Sequence, residues 1–136
     1  MTQVLIADDH AAVRASLRHC LEQDLGITQI GEAATGADAL ELLLKGTWEL
    51  LVLDINMPDC SGLDILRHVR AAYPRTKVLM LSGFSEYQFA ISALRIGASG
   101  FLTKESAPAE LRKAISAILA GQRYVCAAFA ETVTLT

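Results

Sequence analysis

The sequence has little that would insert into or cross a membrane. Hydrophobic residues make up 52% of the chain, yet no apolar run reaches the roughly 18 residues of a membrane-spanning helix. The amino terminus also lacks the basic segment followed by an apolar segment that is typical of a secretory signal. We therefore expect a cytoplasmic protein that has no membrane partner.

Paired cysteines and basic clusters are also missing. Cys20, Cys60 and Cys126 are far apart and include no CxxC pair, a pattern that favours incidental thiols over disulfides or a zinc site. The net charge of −3, without a basic stripe, argues against direct binding of nucleic acid by this segment. A chain of 136 residues can bury a core without a disulfide or a metal, so we expect one domain.

Short apolar runs alternate with amphipathic segments along the chain. The apolar runs predict five strands, at residues 3–7, 27–33, 50–53, 77–81 and 101–103. The segments between and after them have apolar residues at helical spacing, and Thr35, Ser85 and Ser106 fit helix starts, with Asp38 and Pro108 in the first turns. This alternation predicts a (βα)5 α/β fold with parallel strands, right-handed crossovers and helices on both faces.

Chemically active side chains follow four of the predicted strands. Asp8 and Asp9 come after the first strand, and Asp54 ends the third. Ser82 follows the fourth strand and Lys104 the fifth. The carboxyl ends of parallel strands meet at one edge of the sheet, where ligands bind in open α/β folds. We therefore expect these five side chains to lie close together.

Three carboxylates at one edge predict a cation site. Two carboxylates about 4 Å apart repel each other by about 4 kcal/mol at an effective dielectric constant of 20. Oxygen ligands suit a hard divalent ion, and the predicted cofactor is Mg²⁺ held by Asp9 and Asp54, with Asp8 acting directly or through a water molecule. Asp54 is ionised at neutral pH and could act as a nucleophile in phosphoryl transfer. Lys104 would supply a second positive charge, and Ser82 a hydrogen bond to a phosphoryl oxygen.

The sequence resembles the receiver domain of two-component response regulators over almost its whole length. The motifs that carry the resemblance are residues 4–10, 54–58, 81–83 and 97–104. The resemblance implies a flavodoxin-like, doubly wound parallel sheet of five strands in the order 2-1-3-4-5. It also implies that Asp54 accepts a phosphoryl group from a phosphohistidine of a sensor histidine kinase, and that the backbone carbonyl of Asn56 joins Asp8, Asp9 and Asp54 as a ligand of Mg²⁺.

The same resemblance implies a conformational switch. Ser82 and Phe101 resemble the pair in which the hydroxyl moves to the phosphoryl group and the aromatic ring turns inward. The resemblance also implies self-phosphorylation and autodephosphorylation at Asp54, assisted by Lys104, without turnover of an external substrate as the main role. Phe84 occupies a place that is often polar in receivers that lose phosphate quickly, so we hypothesise that it shields the phosphate from water.

The sequence after the last strand resembles one subfamily. Glu105 follows Lys104 where many receivers have proline, and residues 98–105 are similar to the NarL/FixJ (LuxR-type) group. Members of that group usually continue into a helix-turn-helix domain that binds DNA. We therefore expect residues 1–121 to be a receiver domain that can form a homodimer and residues 122–136 to begin an interdomain linker, with DNA reached only through an effector domain outside this chain.

Two other function classes also fit part of the pattern. A phosphatase of the haloacid dehalogenase class also forms an aspartyl phosphate, but it needs an acid two residues after the nucleophile, where this chain has Asn56. A phosphate-independent interaction module would have lost part of its site, whereas every acidic and basic element is present here. Both classes are less favoured than a phosphorylation switch.

Overall fold

Strands and helices alternate along the chain, as the sequence predicts. The computed structural model describes residues 2–83 and 87–127. Its strands are β1 (Gln3–Ala7), β2 (Gln29–Ala33), β3 (Leu50–Asp54), β4 (Lys77–Ser82), β5 (Gly100–Thr103) and β6 (Tyr124–Val125). Its helices are α1 (Ala11–His19), α2 (Gly36–Lys45), α3 (Gly62–Ala72), α4 (Tyr87–Ile96) and α5 (Ala107–Leu119). No helix in these ranges has the length and apolarity needed to span a membrane.

All strands of the sheet run parallel, in the order β2-β1-β3-β4-β5-β6. The predicted α/β fold and the order 2-1-3-4-5 are confirmed, but the sheet has one strand more than the predicted five. Strand β6 pairs with β5 through Gly100 with Tyr124 and Phe101 with Val125. It lies in the segment that we assigned to a linker. A strand of two residues is too short to produce a periodic signal, and the boundary at residue 121 stays a prediction.

The central strand β3 is buried along its whole length. All five of its residues are buried, and Leu50, Leu51 and Leu53 have no exposed surface. Each such side chain contributes about 1.5–3 kcal/mol through its removal from water. Because strand β3 is buried on both faces, a ligand can reach it only at an end of the strand, and Asp54 is the residue at the carboxyl end.

The helix starts agree only partly with the prediction. Thr35 Oγ1 accepts a hydrogen bond from Asp38 N at 3.1 Å, which confirms the predicted start of α2. Ser106 precedes α5, but its hydroxyl exchanges hydrogen bonds with Thr103 instead of capping the helix. The predicted start of the fourth helix at Ser85 lies outside the described residues. A π-helical segment, Cys20–Asp24, continues α1 and was not predicted.

Candidate functional site

Three carboxylates meet at the carboxyl ends of the adjacent strands β1 and β3. Asp8 and Asp9 follow β1, and Asp54 ends β3. One potential ligand atom from each of these residues and from His10 lies within 4.8 Å of the others. The side chains of Asp8 and Asp54 are 1% and 2% exposed, whereas that of Asp9 is 34% exposed. The cluster thus has two buried acids and one that faces solvent.

Lys104 supplies the positive charge of this cluster. Its Nζ atom lies 3.1 Å from Asp54 Oδ2 and 3.0 Å from Asp8 Oδ2, and its side chain is 20% exposed. The backbone fixes where the side chain starts, because Lys104 N donates a hydrogen bond of 2.7 Å to Ser82 O. The ends of β1, β3, β4 and β5 are therefore joined through one ammonium group and its own backbone.

Burial and charge act in opposite directions in the cluster. Burial raises the pKa of Asp54 and the charge of Asp8 raises it further, while the Asn56 amide and Lys104 oppose the rise. Burial also disfavours the charge of Lys104, but its contacts with Asp8 and Asp54 outweigh that cost and raise the pKa of the ammonium. The lysine therefore stays charged, and the cluster favours additional positive charge.

His10 is a further neighbour of the cluster. Its side chain is 63% exposed, but Nδ1 lies 3.2 Å from Asp8 Oδ1 and 3.1 Å from Asp9 Oδ1. The same nitrogen is 3.2 Å from Lys104 Nζ. The imidazole thus lies at the rim of the cluster, between solvent and the acids.

The donor set fits a hard metal ion. Asp8 Oδ2 is fully buried and, within the described part of the chain, accepts no hydrogen bond, although the Lys104 ammonium lies 3.0 Å away. Asp8 shares the one ammonium with Asp54, so a buried oxygen without a hydrogen bond still costs free energy that a further cation would recover. Three carboxylates and one ammonium leave an excess of negative charge, and carboxylate oxygens are ligands of hard divalent ions. The cluster could therefore bind a metal ion.

The loop between β3 and α3 folds back against Asp54. Asn56 N donates a hydrogen bond of 3.1 Å to Asp54 Oδ1. Asn56 also pairs with Ser61, and Gly62 N donates to Ile55 O at 2.6 Å, which closes the loop. A side chain at position 62 would meet the backbone oxygen of Asp54 at 2.2 Å, so only glycine allows this approach. The loop therefore holds the backbone of Asn56 beside the carboxylates.

The comparison with protein families matches residues 4–116 to the response regulator receiver domain. This match covers most of the chain, including every residue of the acidic cluster and Lys104. The chain belongs to the response regulator receiver domain family. The family that the sequence resembled is thereby confirmed.

Relatives of this receiver domain include transcription regulators. The response regulator UvrY of Escherichia coli (strain K12) is 34% identical over 136 residues, which are 100% of this chain and 62% of UvrY. A putative transcriptional regulator of Pseudomonas aeruginosa is 41% identical over 121 residues, 89% of this chain and 58% of that protein. The receiver domain thus spans about three-fifths of the length of these relatives.

A solved structure supports the fold and the subfamily. The two-component response regulator of the LuxR family from Aurantimonas sp. SI85-9A1 has a TM-score of 0.86 and 32% identity. The match covers 99% of this receiver domain and 97% of that chain. The predicted resemblance to the NarL/FixJ (LuxR-type) group is confirmed.

The two residues expected to form a switch lie on adjacent strands of the receiver domain. Ser82, the last residue of β4, is fully buried at the same edge as the acidic cluster. Phe101 is fully buried in β5, where it pairs with Met80 on one side and Val125 on the other. Phe84, the residue expected to shield the phosphate, lies outside the described residues.

One side chain near the site was not recognised from the sequence. Asp59, in the loop after β3, accepts hydrogen bonds from Gly36 N at 2.7 Å and Ala37 N at 3.0 Å. These two amide groups lower the pKa of the Asp59 carboxyl below its usual range. The signal in the sequence was only an aspartate after a proline, which is typical of any turn.

Proposed function

We propose that this receiver domain is a phosphorylation-dependent switch that acts in the cytoplasm and accepts a phosphoryl group on Asp54 from a sensor histidine kinase. The observation that supports it is that one buried carboxylate contacts a cation and lies beside an acidic pair. Asp54 lies 3.1 Å from Lys104 Nζ and within the 4.8 Å cluster that contains Asp8 and Asp9.

The transfer needs a held, ionised carboxylate. Asn56 N binds Asp54 Oδ1 and Lys104 Nζ binds Asp54 Oδ2, so the plane of the carboxylate is fixed from both sides. A carboxylate oxygen of Asp54 attacks the phosphorus, and the bond from phosphorus to the donor histidine nitrogen breaks. That nitrogen leaves with the electron pair and takes a proton from solvent. Lys104 neutralises charge on the phosphoryl oxygens, as cations do in phosphoryl transfer.

Magnesium is the metal that this donor set fits best. Asp8, Asp9 and Asp54 would hold it with their carboxylates and Asn56 with its backbone carbonyl. When bound, Mg²⁺ supplies charge that neutralises the phosphoryl oxygens. The carboxylates that hold the ion also repel one another without it, so the site favours the metal before any phosphate arrives.

The phosphorylated state would be the output of the domain. The Ser82 hydroxyl would donate a hydrogen bond to the phosphoryl group, and Phe101 would change its packing in response. Residues 1–121 would form the receiver, and residues 122–136 would begin a linker to a helix-turn-helix effector that binds DNA, with a homodimer as a possible assembly. Loss of the phosphate would be autocatalytic, without turnover of an external substrate as the main role.

Phosphorylation by a small donor tests the proposal. Incubation with Mg²⁺ and acetyl phosphate should yield a stable adduct of one phosphate per chain, measured by intact-protein mass spectrometry. Asp54→Asn should abolish it, whereas Asp64→Asn, which removes an exposed carboxylate from α3, should leave it unchanged. An adduct that survives in Asp54→Asn, no adduct at all, or rapid release of many phosphates would each contradict the proposal.

A further inference from the structure

We propose that Asp59 is a positioning residue for the phosphorylation site, because it fastens the loop that carries Asn56 to the amino terminus of α2. The inference rests on the proposed function, since it concerns how the same site is held in shape. Asp59 is exposed in a turn and is not a proposed metal ligand. We assign to it an indirect role in metal binding, through the position of Asn56.

The contact itself is a carboxylate against the start of a helix. The Asp59 oxygens accept from the amides of Gly36 and Ala37, the first two residues of α2, at 2.7 and 3.0 Å. Such amides have no partner within the helix, and the helix dipole favours a negative charge there. Thr35 caps the same helix by binding Asp38 N, so Asp59 and Thr35 satisfy different amides.

The packing around Gly36 shows that the start of α2 and the loop after β3 fit closely together. A Cβ atom at position 36 would lie 2.2 Å from Cys60 Sγ and 3.2 Å from Asp59 Oδ1. Glycine at this position therefore makes room for the two loop residues that follow Pro58. The loop and the helix start fit each other in shape as well as in charge.

The fastened loop connects directly to the proposed metal ligands. Asp59 is three residues after Asn56, and the intervening Met57 is buried. Asn56 N in turn binds Asp54 Oδ1. The start of α2, to which Asp59 binds, is also linked to the site. Asp8 N donates a hydrogen bond of 3.0 Å to Ala33 O, which lies at the end of β2, three residues before α2 begins.

A helix cap alone would have a different effect from a positioning residue. A cap stabilises α2, and its loss would lower the unfolding temperature and loosen the amides of Gly36 and Ala37. A positioning residue also holds the Asn56 backbone, so its loss would weaken metal binding in the folded protein. Mutation of a residue that orients a metal ligand typically lowers metal affinity by about 10–100-fold. Asp59 acts on Asn56 only through the loop, so we expect a smaller effect.

The test compares Asp59→Ala, Asp59→Asn and the control Asp38→Ala with the wild-type protein. Asp38 is an exposed carboxylate in the first turn of the same helix, so the control removes the same charge without touching the loop. The Kd of Mg²⁺ is measured by calorimetry on the folded proteins, and amide hydrogen exchange is followed at Asn56, Gly36 and Ala37. Phosphorylation of Asp54 by acetyl phosphate is measured in parallel.

Asp59→Ala should raise the Kd of Mg²⁺ by about 3–10-fold and speed exchange at Asn56, with Asp59→Asn intermediate and Asp38→Ala unchanged. An Asp59 effect confined to Gly36, Ala37 and the unfolding temperature, or an equal loss of affinity in Asp38→Ala, would overturn the inference. If Asp59→Ala does not fold, Asp59→Asn decides alone. A wild-type protein that binds no Mg²⁺ and accepts no phosphate would instead overturn the proposed function.

Discussion

Lys104 Nζ lies 3.1 Å from Asp54 Oδ2, although strand β4 separates the strands from which the two side chains come. The same ammonium is 3.0 Å from Asp8 Oδ2. One cation therefore neutralises part of the charge of two buried carboxylates, while the solvent-facing Asp9 adds a third negative charge. The free energy of unfolding should reflect this excess of negative charge.

Asp54→Asn should increase the free energy of unfolding in the absence of divalent ions. Asparagine keeps the shape of the side chain and an oxygen for Lys104, but it removes a charge that burial and Asp8 disfavour. We expect a gain of about 1 kcal/mol, typical of relieving one unfavourable charge interaction. Urea unfolding at neutral pH with a chelator measures it, and Asp64→Asn is the exposed control. A destabilised Asp54→Asn variant would show that Lys104 dominates the cluster.

The gain from Asp54→Asn should depend on pH. The pKa of Asp54 is raised in the folded protein, so ionisation of Asp54 costs stability. The stabilising contribution of the protonated group is fully present below the unfolded pKa of about 4 and is lost as the pH rises through the higher folded value. The difference between Asp54→Asn and wild type should therefore be largest at neutral pH and shrink on acidification toward pH 4. If the difference in the free energy of unfolding grows on acidification, the pKa of Asp54 is lowered in the folded protein and not raised.

Mg²⁺ should stabilise the wild-type domain and not a variant that lacks one of its ligands. A ligand that binds only the folded state, at a concentration tenfold above its Kd, adds about 1.4 kcal/mol to the free energy of unfolding. Asp9→Ala should erase this increment, because it removes the solvent-facing carboxylate of the cluster. The comparison uses urea unfolding with and without Mg²⁺. A full increment in Asp9→Ala would remove Asp9 from the ligand set.

Gly62→Ala should destabilise the domain and slow phosphorylation of Asp54. The added Cβ would meet Asp54 O at 2.2 Å and Ile55 Cα at 2.8 Å, and both are backbone atoms that cannot rotate away. Overpacking of this kind costs about 1–3 kcal/mol. Gly83→Ala is a matched control at the same edge, since no atom of the described residues lies within 4 Å of its Cβ position. Equal stability of the two variants in urea would show that the loop between β3 and α3 can move.

The sheet and its active edge could be predicted because they depend on local patterns. Apolar runs, helical periodicity and the handedness of parallel connections predict a parallel sheet whose strand ends share one edge, and that edge brings Asp8, Asp54 and Lys104 together. The strand order itself was implied by the resemblance to receiver domains. Strand β6 was not predicted because two residues are too few to show the alternating hydrophobic pattern of a strand.

The details of the site depend on loop conformation, which a single sequence does not encode in a readable way. Asp59 binds a helix start 23 residues earlier in the chain, and no spacing rule relates an aspartate in a turn to a distant amide. His10 follows a strand end by chain order alone, but its approach to Asp8 and Asp9 depends on how the backbone turns into α1. Contacts between side chains of different loops were therefore not predicted, whereas the contacts between side chains at the strand ends were.

Glu110 should control the ionisation of Tyr124, which anchors the short strand β6. The Tyr124 hydroxyl donates to Glu110 Oε1 at 2.7 Å, and Ala127 N donates to the same oxygen at 3.0 Å. Burial and, after it, the hydrogen bond to Glu110 raise the pKa of Tyr124 to about 12. Because the folded pKa exceeds the unfolded value of about 10, this contribution to stability is present below pH 10 and is lost as the pH rises toward 12.

Glu110→Gln keeps an acceptor for the Tyr124 hydroxyl and removes the negative charge. The pKa of Tyr124 should therefore fall below about 12 but stay above the unfolded value of about 10, since burial remains. A titration followed by NMR of tyrosine labelled with ¹³C at Cζ resolves Tyr124 from the other tyrosines. Glu105→Gln, which removes an exposed charge two residues before α5 begins, is the control. An unchanged midpoint in Glu110→Gln would mean that burial alone sets the ionisation, and that β6 is held by its backbone pairing with β5 and not by this side-chain contact.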